Sequence, residues 1–128
     1  MPDYLDTSAF IKLVRSEPES DALRRALAGR ELISSALLIT EGRRAARRYG
    51  ELASRRARAG LTAVTILPID SPILEAAADL DPCELRSLDA IHLASALSIG
   101  GDLARFYCYD VRLAGAAEAL GIDVSQPS

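Results

Sequence analysis

Cysteine, lysine and histidine are scarce in this sequence of 128 residues, and tryptophan is missing altogether. The two cysteines, Cys83 and Cys108, lie outside any CxxC pattern and cannot form a structural zinc site by themselves. We expect both to fill space in the core, as free cysteines commonly do. A chain with so few cysteines is suited to a reducing cytosol, so a cytoplasmic location is predicted.

Long apolar runs are also missing. No run approaches the roughly 18 residues that a membrane span needs, so no contact with a membrane is expected. Residues 1–6 lack the basic and then apolar pattern of a secretory signal, and none is predicted. Hydrophobic residues make up 49% and charged residues 26%, which excludes a disordered chain. The length predicts a single domain over residues 1–128.

The net charge of −3 conceals one basic segment. Residues 42–58 contain a single acid, Glu51, and seven arginines: Arg43, Arg44, Arg47, Arg48, Arg55, Arg56 and Arg58. A local basic surface on an acidic protein suggests a site for a polyanion or an acidic partner, although a solvated helical face explains the pattern equally well. Aromatic residues, at 5%, are too few for a platform on which bases stack.

Short strand-like segments alternate with helical ones along the whole chain. Strands are predicted at 4–5, 31–34, 63–67, 105–109 and 122–124, and helices lie between them. Ser16-Glu17-Pro18-Glu19 predicts a capping box, Gly60 the end of an arginine-rich helix, and Ser87 the cap of a buried helix over 88–98. Right-handed crossovers between such strands predict an α/β fold, a three-layer α/β/α sandwich with a short parallel β-sheet.

Four acids are candidates for a site at one edge of that sheet. Asp6 and Asp110 each follow a predicted strand, and ligands of such folds bind at the carboxyl ends of strands. Asp89 lies in the first turn of the buried helix, and Glu41 lies where an apolar helix face meets the arginines. Because converging carboxylates repel one another, the pattern indicates a hard divalent cation, Mg²⁺ or Mn²⁺.

Each acid also has a purely structural interpretation. The two strand-end aspartates can cap the helices that follow them, Asp89 can complement the helix dipole, and Glu41 can pair with Arg44. His92 lies on a largely apolar helix, which is typical of a hydrogen-bonded core histidine rather than a metal ligand. The functional interpretation therefore depends on the four acids together.

Two other classes share this layout. A receiver-type phosphoacceptor needs a lysine at a late strand end, and the only lysine is Lys12. A haloacid-type phosphatase needs Asp-x-Asp after the first strand, where this chain has Asp6-Thr7-Ser8. Neither class fits, whereas a protein of the same fold that only binds partners stays open.

Four segments in order carry a resemblance to a known family: Tyr4-Leu5-Asp6-Thr7-Ser8-Ala9, Thr40-Glu41, residues 88–94 (LDAIHLA) and residues 109–117 (YDVRLAGAA). They resemble PIN-domain ribonucleases, and most of all the toxin subunits of VapBC-type toxin–antitoxin modules. The resemblance implies a PIN-like fold in which Asp6, Glu41, Asp89 and Asp110 form the catalytic, metal-binding set. It also implies that Ser8 or Thr7 supports the first aspartate, and it departs from the family at Cys108, where Thr or Ser is frequent.

The implied activity is that of an endoribonuclease that uses Mg²⁺ or Mn²⁺ to hydrolyse RNA phosphodiester bonds, leaving 5′-phosphate and 3′-hydroxyl ends. As a toxin it would inhibit translation and be held by a cognate antitoxin, as a homodimer or within a toxin–antitoxin hetero-oligomer. Four arginines that follow Glu41 could grip RNA phosphates: Arg43, Arg44, Arg47 and Arg48. The alternative is a catalytically weak or inactive PIN-like protein that acts mainly through its antitoxin and operator complex.

Overall fold

The structure, a computed structural model, describes residues 1–128 as five strands, seven α-helices and one short 3₁₀ turn. The strands are β1 (Asp3–Leu5), β2 (Leu32–Ser35), β3 (Val64–Leu67), β4 (Arg105–Tyr107) and β5 (Val124–Ser125). The helices are α1 (Thr7–Val14), α2 (Ser20–Leu27), α3 (Leu37–Arg47), α4 (Glu51–Thr62), α5 (Ser71–Ala78), α6 (Ser87–Leu97) and α7 (Val111–Ala119). None of these helices combines the length and apolar character that a membrane crossing requires.

All five strands are parallel and follow the order β3-β2-β1-β4-β5. The central strand is β1, in which Tyr4 lies opposite Ile33 of β2 and Phe106 of β4. Strands β2 and β3 follow on one side of β1, and the chain then crosses back to place β4 and β5 on the other side. The carboxyl end of β1 is therefore the topological switch point, where folds of this type bind ligands.

Successive residues of the central strands face opposite sides of the sheet and so enter two different cores. Leu5 and Tyr107 pack with helices α1 to α4, whereas Tyr4 and Phe106 pack with helices α6 and α7. Helix α5 packs on α6 through a smaller cluster of alanines. Helices thus cover both faces of the parallel sheet, which confirms the predicted three-layer α/β/α architecture.

Two glycines allow α3 and α4 to approach the ring of Phe10 in α1. A Cβ atom at Gly42 would lie 2.9 Å from the Phe10 Cε2 atom, and one at Gly60 would lie 3.1 Å from Cε1. Helix α4 continues through Gly60 and ends at Thr62, so the predicted helix end at this glycine was wrong. The glycine is there for close packing and not to end the helix.

Two predicted helix caps were also wrong. Helix α2 begins at Ser20, and the Ser20 hydroxyl accepts a hydrogen bond from the Glu17 N–H, so the capping box at Ser16 does not form. The cap of α6 is Arg86, which offers no side-chain hydrogen bond, and Ser87 is the first helical residue. In neither case does the local pattern of polar residues mark the residue at which the helix begins.

The two cysteines differ in burial. Cys108 is fully buried beside the sheet, as predicted. Cys83 is exposed in the connection between α5 and α6, so the prediction that it fills space in the core was wrong. That connection carries mostly exposed residues and contributes no core face for a thiol to occupy.

Candidate active site at the carboxyl end of the sheet

Asp6 follows β1 at the switch point and begins helix α1. One of its carboxylate oxygens accepts a hydrogen bond of 2.9 Å from the Ala9 N–H, which is the geometry of a helix cap. The Ser8 hydroxyl lies 2.7 and 2.9 Å from the two carboxylate oxygens. Asp6 is only 3% exposed, and this burial raises its pKa although both neighbours donate hydrogen bonds to it.

Ser8 also links Asp6 to the chain that follows β4. Its hydroxyl oxygen accepts a hydrogen bond of 2.9 Å from the Tyr109 N–H. The Cys108 thiol lies 4.0 Å from the same hydroxyl oxygen and donates to the Asp110 carbonyl oxygen over 3.5 Å. Burial raises the pKa of the Cys108 thiol, so this group is a neutral donor and not a thiolate. Ser8 thus joins the Asp6 carboxylate to the backbone that follows β4.

Glu41 projects from α3 into a chain of buried hydrogen bonds. Its Oε1 atom accepts from the Thr7 hydroxyl over 2.8 Å and lies 2.7 Å from His92 Nε2. The Nδ1 atom of His92 lies 2.7 Å from the Tyr4 hydroxyl, which in turn accepts the Ser35 N–H over 3.0 Å. Burial raises the pKa of Glu41, but the hydrogen bonds from His92 and Thr7 outweigh it and the pKa is lowered.

This arrangement excludes one structural interpretation of Glu41 and supports another for His92. Glu41 does not pair with Arg44 and takes His92 as its partner instead. His92 is 2% exposed and uses both ring nitrogens within the protein, so it is the hydrogen-bonded core histidine that the sequence predicts. Its role in the site is to hold the Glu41 carboxylate in place.

Asp89 and Asp110 line one cavity of about 260 Å³. Asp89 lies in the first turn of α6, and Asp110 begins α7 by accepting the N–H groups of Arg112 and Leu113 at 2.9 and 3.0 Å. The rest of the lining consists of Glu84, Leu85, Arg86, Val111 and Arg112. The structure therefore places these two acids in a shared hollow that opens beside the carboxyl end of the sheet.

The four acids influence one another electrostatically without converging on one point. The pKa of Asp89 is raised by burial and then by the charges of Asp110, Asp6 and Glu41, while His92 opposes the shift. Asp6 and Glu41 are turned toward their hydrogen-bond donors and do not line the cavity. No three histidine, cysteine, aspartate or glutamate side chains are arranged as they stand to hold a metal ion.

The predicted phosphate-binding arginines lie outside this cavity. Arg43, Arg44, Arg47 and Arg48 lie on or just after α3 and line surface hollows of their own. The arginines that share the cavity with Asp89 are instead Arg86 and Arg112, which no sequence pattern singled out. Arg86 precedes Asp89 by three residues and Arg112 follows Asp110 by two, and neither spacing is a recognisable sequence motif.

Known proteins match this chain over almost its full length. The model of the family described as "PIN domain" matches residues 4–117. Ribonuclease VapC46 of Mycobacterium tuberculosis is 48% identical over 98% of this chain and 97% of its own. Ribonuclease VapC47 of the same species is 40% identical over 97% of this chain and 96% of its own.

Two solved structures share the fold. The crystal structure of VapC20 of M. tuberculosis, described as a sarcin-ricin loop cleaving toxin, superimposes with a TM-score of 0.76 at 22% identity. It covers 97% of this chain and 98% of its own. A toxin–antitoxin complex from Klebsiella pneumoniae gives a TM-score of 0.74 at 22% identity, over 98% of both chains.

These matches and the parallel α/β fold with acids at its switch point define a PIN domain. The chain belongs to the PIN-domain family and, within it, to the VapC proteins, the toxins of VapBC modules.

Proposed function

We propose that this protein is an endoribonuclease that depends on a divalent metal ion and hydrolyses RNA phosphodiester bonds. The observations that support this best are that Asp6 and Asp110 follow β1 and β4 at the carboxyl edge of the sheet and that Asp89 shares a cavity with Asp110. The full-length similarity to proteins named ribonucleases supports the reaction class.

The chemistry of the four acids fits Mg²⁺ or Mn²⁺. They offer oxygen donors only, which hard divalent ions prefer. Asp6, Asp89 and Asp110 have no lysine, arginine or histidine within ion-pair distance, so none of the three carboxylates is used in an ion pair. A bound divalent ion would neutralise charge on the phosphoryl oxygens and lower the pKa of the attacking water.

The protein's own residues supply position and shape. Asp6 is fixed by Ser8 and Glu41 is fixed by His92 and Thr7, so both carboxylates are held before substrate arrives. We propose that Arg86 and Arg112 hold the phosphate of the cleaved bond, because they line the cavity that contains Asp89 and Asp110.

The biological setting follows from the family. We propose that the protein acts as a toxin in the cytoplasm, inhibits translation by cutting RNA, and is held by a cognate antitoxin. The similar structure from Klebsiella pneumoniae is a toxin–antitoxin complex, which supports the antitoxin partner. A homodimer, alone or within a larger complex with antitoxin, is proposed as the assembly and is tested by light scattering.

The decisive experiment incubates purified protein with total RNA, with and without EDTA, and maps the new 5′ ends. The test variant is Asp6→Asn, and the matched control is Asp70→Asn, since Asp70 caps α5 just as Asp6 caps α1 but lies elsewhere. We expect cuts that need the metal ion, carry 5′-phosphates and vanish only in Asp6→Asn. Cuts that persist in that variant would contradict the assignment.

Loss of translation is tested separately in a cell-free system. Wild-type protein should stop synthesis of a reporter and Asp6→Asn should not. If the wild type neither cleaves RNA nor stops translation, the protein acts as a PIN-like binding protein through its partner complex.

A further inference from the structure

The basic surface on α3 and α4 is not balanced within the protein. None of its seven arginines lies within ion-pair distance of a carboxylate. They also donate no side-chain hydrogen bond to another residue, whereas Arg30 and Arg24 elsewhere do both. A cluster of guanidinium groups without acidic partners creates a positive potential that favours the binding of an anion.

Three adjoining hollows join five of these arginines into one surface. A notch of about 40 Å³ lies between α3 and α4 and is lined by Arg43, Arg47, Ser54 and Arg58. A hollow of about 270 Å³ shares Arg43 and Arg47 with it and adds Arg44. A third, of about 320 Å³, is lined by Arg44, Arg47 and Arg48. We call this set the arginine track: Arg43, Arg44, Arg47, Arg48 and Arg58.

Four of the five track arginines lie on or just after α3, the helix that also carries Glu41. Arg48 follows Glu41 by seven residues, or about two helical turns, and so lies on the same side of α3 as Glu41. Arg44 is the next position around the exposed surface, and Arg43 and Arg47 lie on the side that adjoins α4. An RNA strand that crosses α3 beyond Glu41 would therefore meet these arginines and the notch between α3 and α4.

We propose that the arginine track binds the backbone of an RNA strand outside the cleaved bond, with one phosphate seated in the notch. There Arg43, Arg47 and Arg58 would contact the phosphate oxygens and Ser54 would donate its hydroxyl. This proposal rests on the proposed function for the identity of the polyanion. The track contributes affinity for the strand and takes no part in the chemical step.

The composition of the linings favours a nucleic-acid backbone over an acidic protein partner. The linings are almost wholly polar, with Ile39 as the only large apolar residue, whereas protein interfaces depend on apolar and aromatic anchors. Successive hollows also suit a ligand with regularly repeated charges.

The test measures binding separately from cleavage. A fluorescent single-stranded RNA oligonucleotide is titrated with the Asp6→Asn protein over a range of salt concentrations. The track variant adds Arg43→Gln, Arg47→Gln and Arg58→Gln. The control variant adds Arg25→Gln, Arg55→Gln and Arg56→Gln, which remove the same charge from positions outside the track. Thermal melts of all three proteins check that the substitutions leave the fold intact.

We expect the track variant to bind at least about tenfold more weakly at about 0.1 M salt, with a salt slope smaller by about 0.7, since its three arginines hold one phosphate and each single-strand phosphate contact contributes about 0.7. The control variant should change the Kd less than about threefold. Equal losses in both variants, or none in either, would overturn the proposal. So would a track variant that keeps RNA affinity but no longer binds the antitoxin, because the surface would then be a protein interface.

Failure of this proposal is distinguishable from failure of the proposed function. RNA binding that depends on the track in a protein that never cleaves RNA would support the track and refute the nuclease. Cleavage whose KM is unchanged when the same three arginines are replaced by glutamine in the wild-type protein, with Asp6 intact, would support the nuclease and refute the track.

Discussion

Replacing Tyr4 by phenylalanine should destabilise the protein by removing a single oxygen atom. The Tyr4 hydroxyl bonds the Ser35 N–H and His92 Nδ1, both of which are buried. Leaving a buried polar group without a partner costs about 1–3 kcal/mol, so the two together predict a loss of about 2–6 kcal/mol. The ring itself should stay in place, because it is stacked on Phe106 with centroids 5.1 Å apart.

The assay is urea denaturation followed by circular dichroism, with a matched control in Tyr109→Phe. The Tyr109 hydroxyl donates to the Pro127 carbonyl oxygen near the end of the chain, at a partly exposed position where water can replace the bond. The control should lose less than about 1 kcal/mol. Similar losses in the two variants would refute the argument that the buried chain from Tyr4 to Glu41 is stabilising.

Three further predictions concern packing and charge. Arg30→Met should lower the midpoint of urea denaturation, because it leaves the fully buried Asp3 carboxylate without its ion pair of 2.8 Å, and adding Asp3→Asn should restore most of the loss. Gly42→Ala should lower the midpoint of thermal unfolding, since its Cβ would lie 2.9 Å from the ring of Phe10. Gly115→Ala has open space around the added Cβ, so it should increase the free energy of unfolding by about 0.5–1 kcal/mol and raise the midpoint. A thiol reagent should modify one cysteine per folded chain and two after unfolding, because Cys108 is buried with a raised pKa; two in the folded state would contradict its burial.

The layered fold could be predicted from the sequence because its signals are local. Short strands separated by helices indicate parallel crossovers, and the structure confirms them. The strand order depends on pairing between distant segments, such as Tyr4 with Phe106, and no local pattern encodes it. Helix boundaries failed where a tertiary contact took precedence over a local rule, as at Gly60 against the ring of Phe10.

The candidate site was predictable in part for the same reason. A rule about strand ends is enough to select Asp6 and Asp110. Both cap helices, which confirms their structural interpretation, and their functional role stays a prediction. The partner of Glu41 is His92, 51 residues away, and only the folded chain brings them to 2.7 Å. The same is true of Arg86, whose place in the cavity with Asp110 depends on how α6 and α7 approach each other.

The Asp6 carboxylate accepts the Ala9 N–H at the start of α1 and also belongs to the four acids of the candidate site, so its charge can be removed without unfolding the helix. Asparagine begins a helix about as well as aspartate, so an amide at this position should keep the first turn of α1 while removing the charge. The Asp6→Asn protein would therefore be inactive but natively folded. We expect it to compete with intact copies for any protein that recognises the outer surface, and so to act as a decoy that releases the active form.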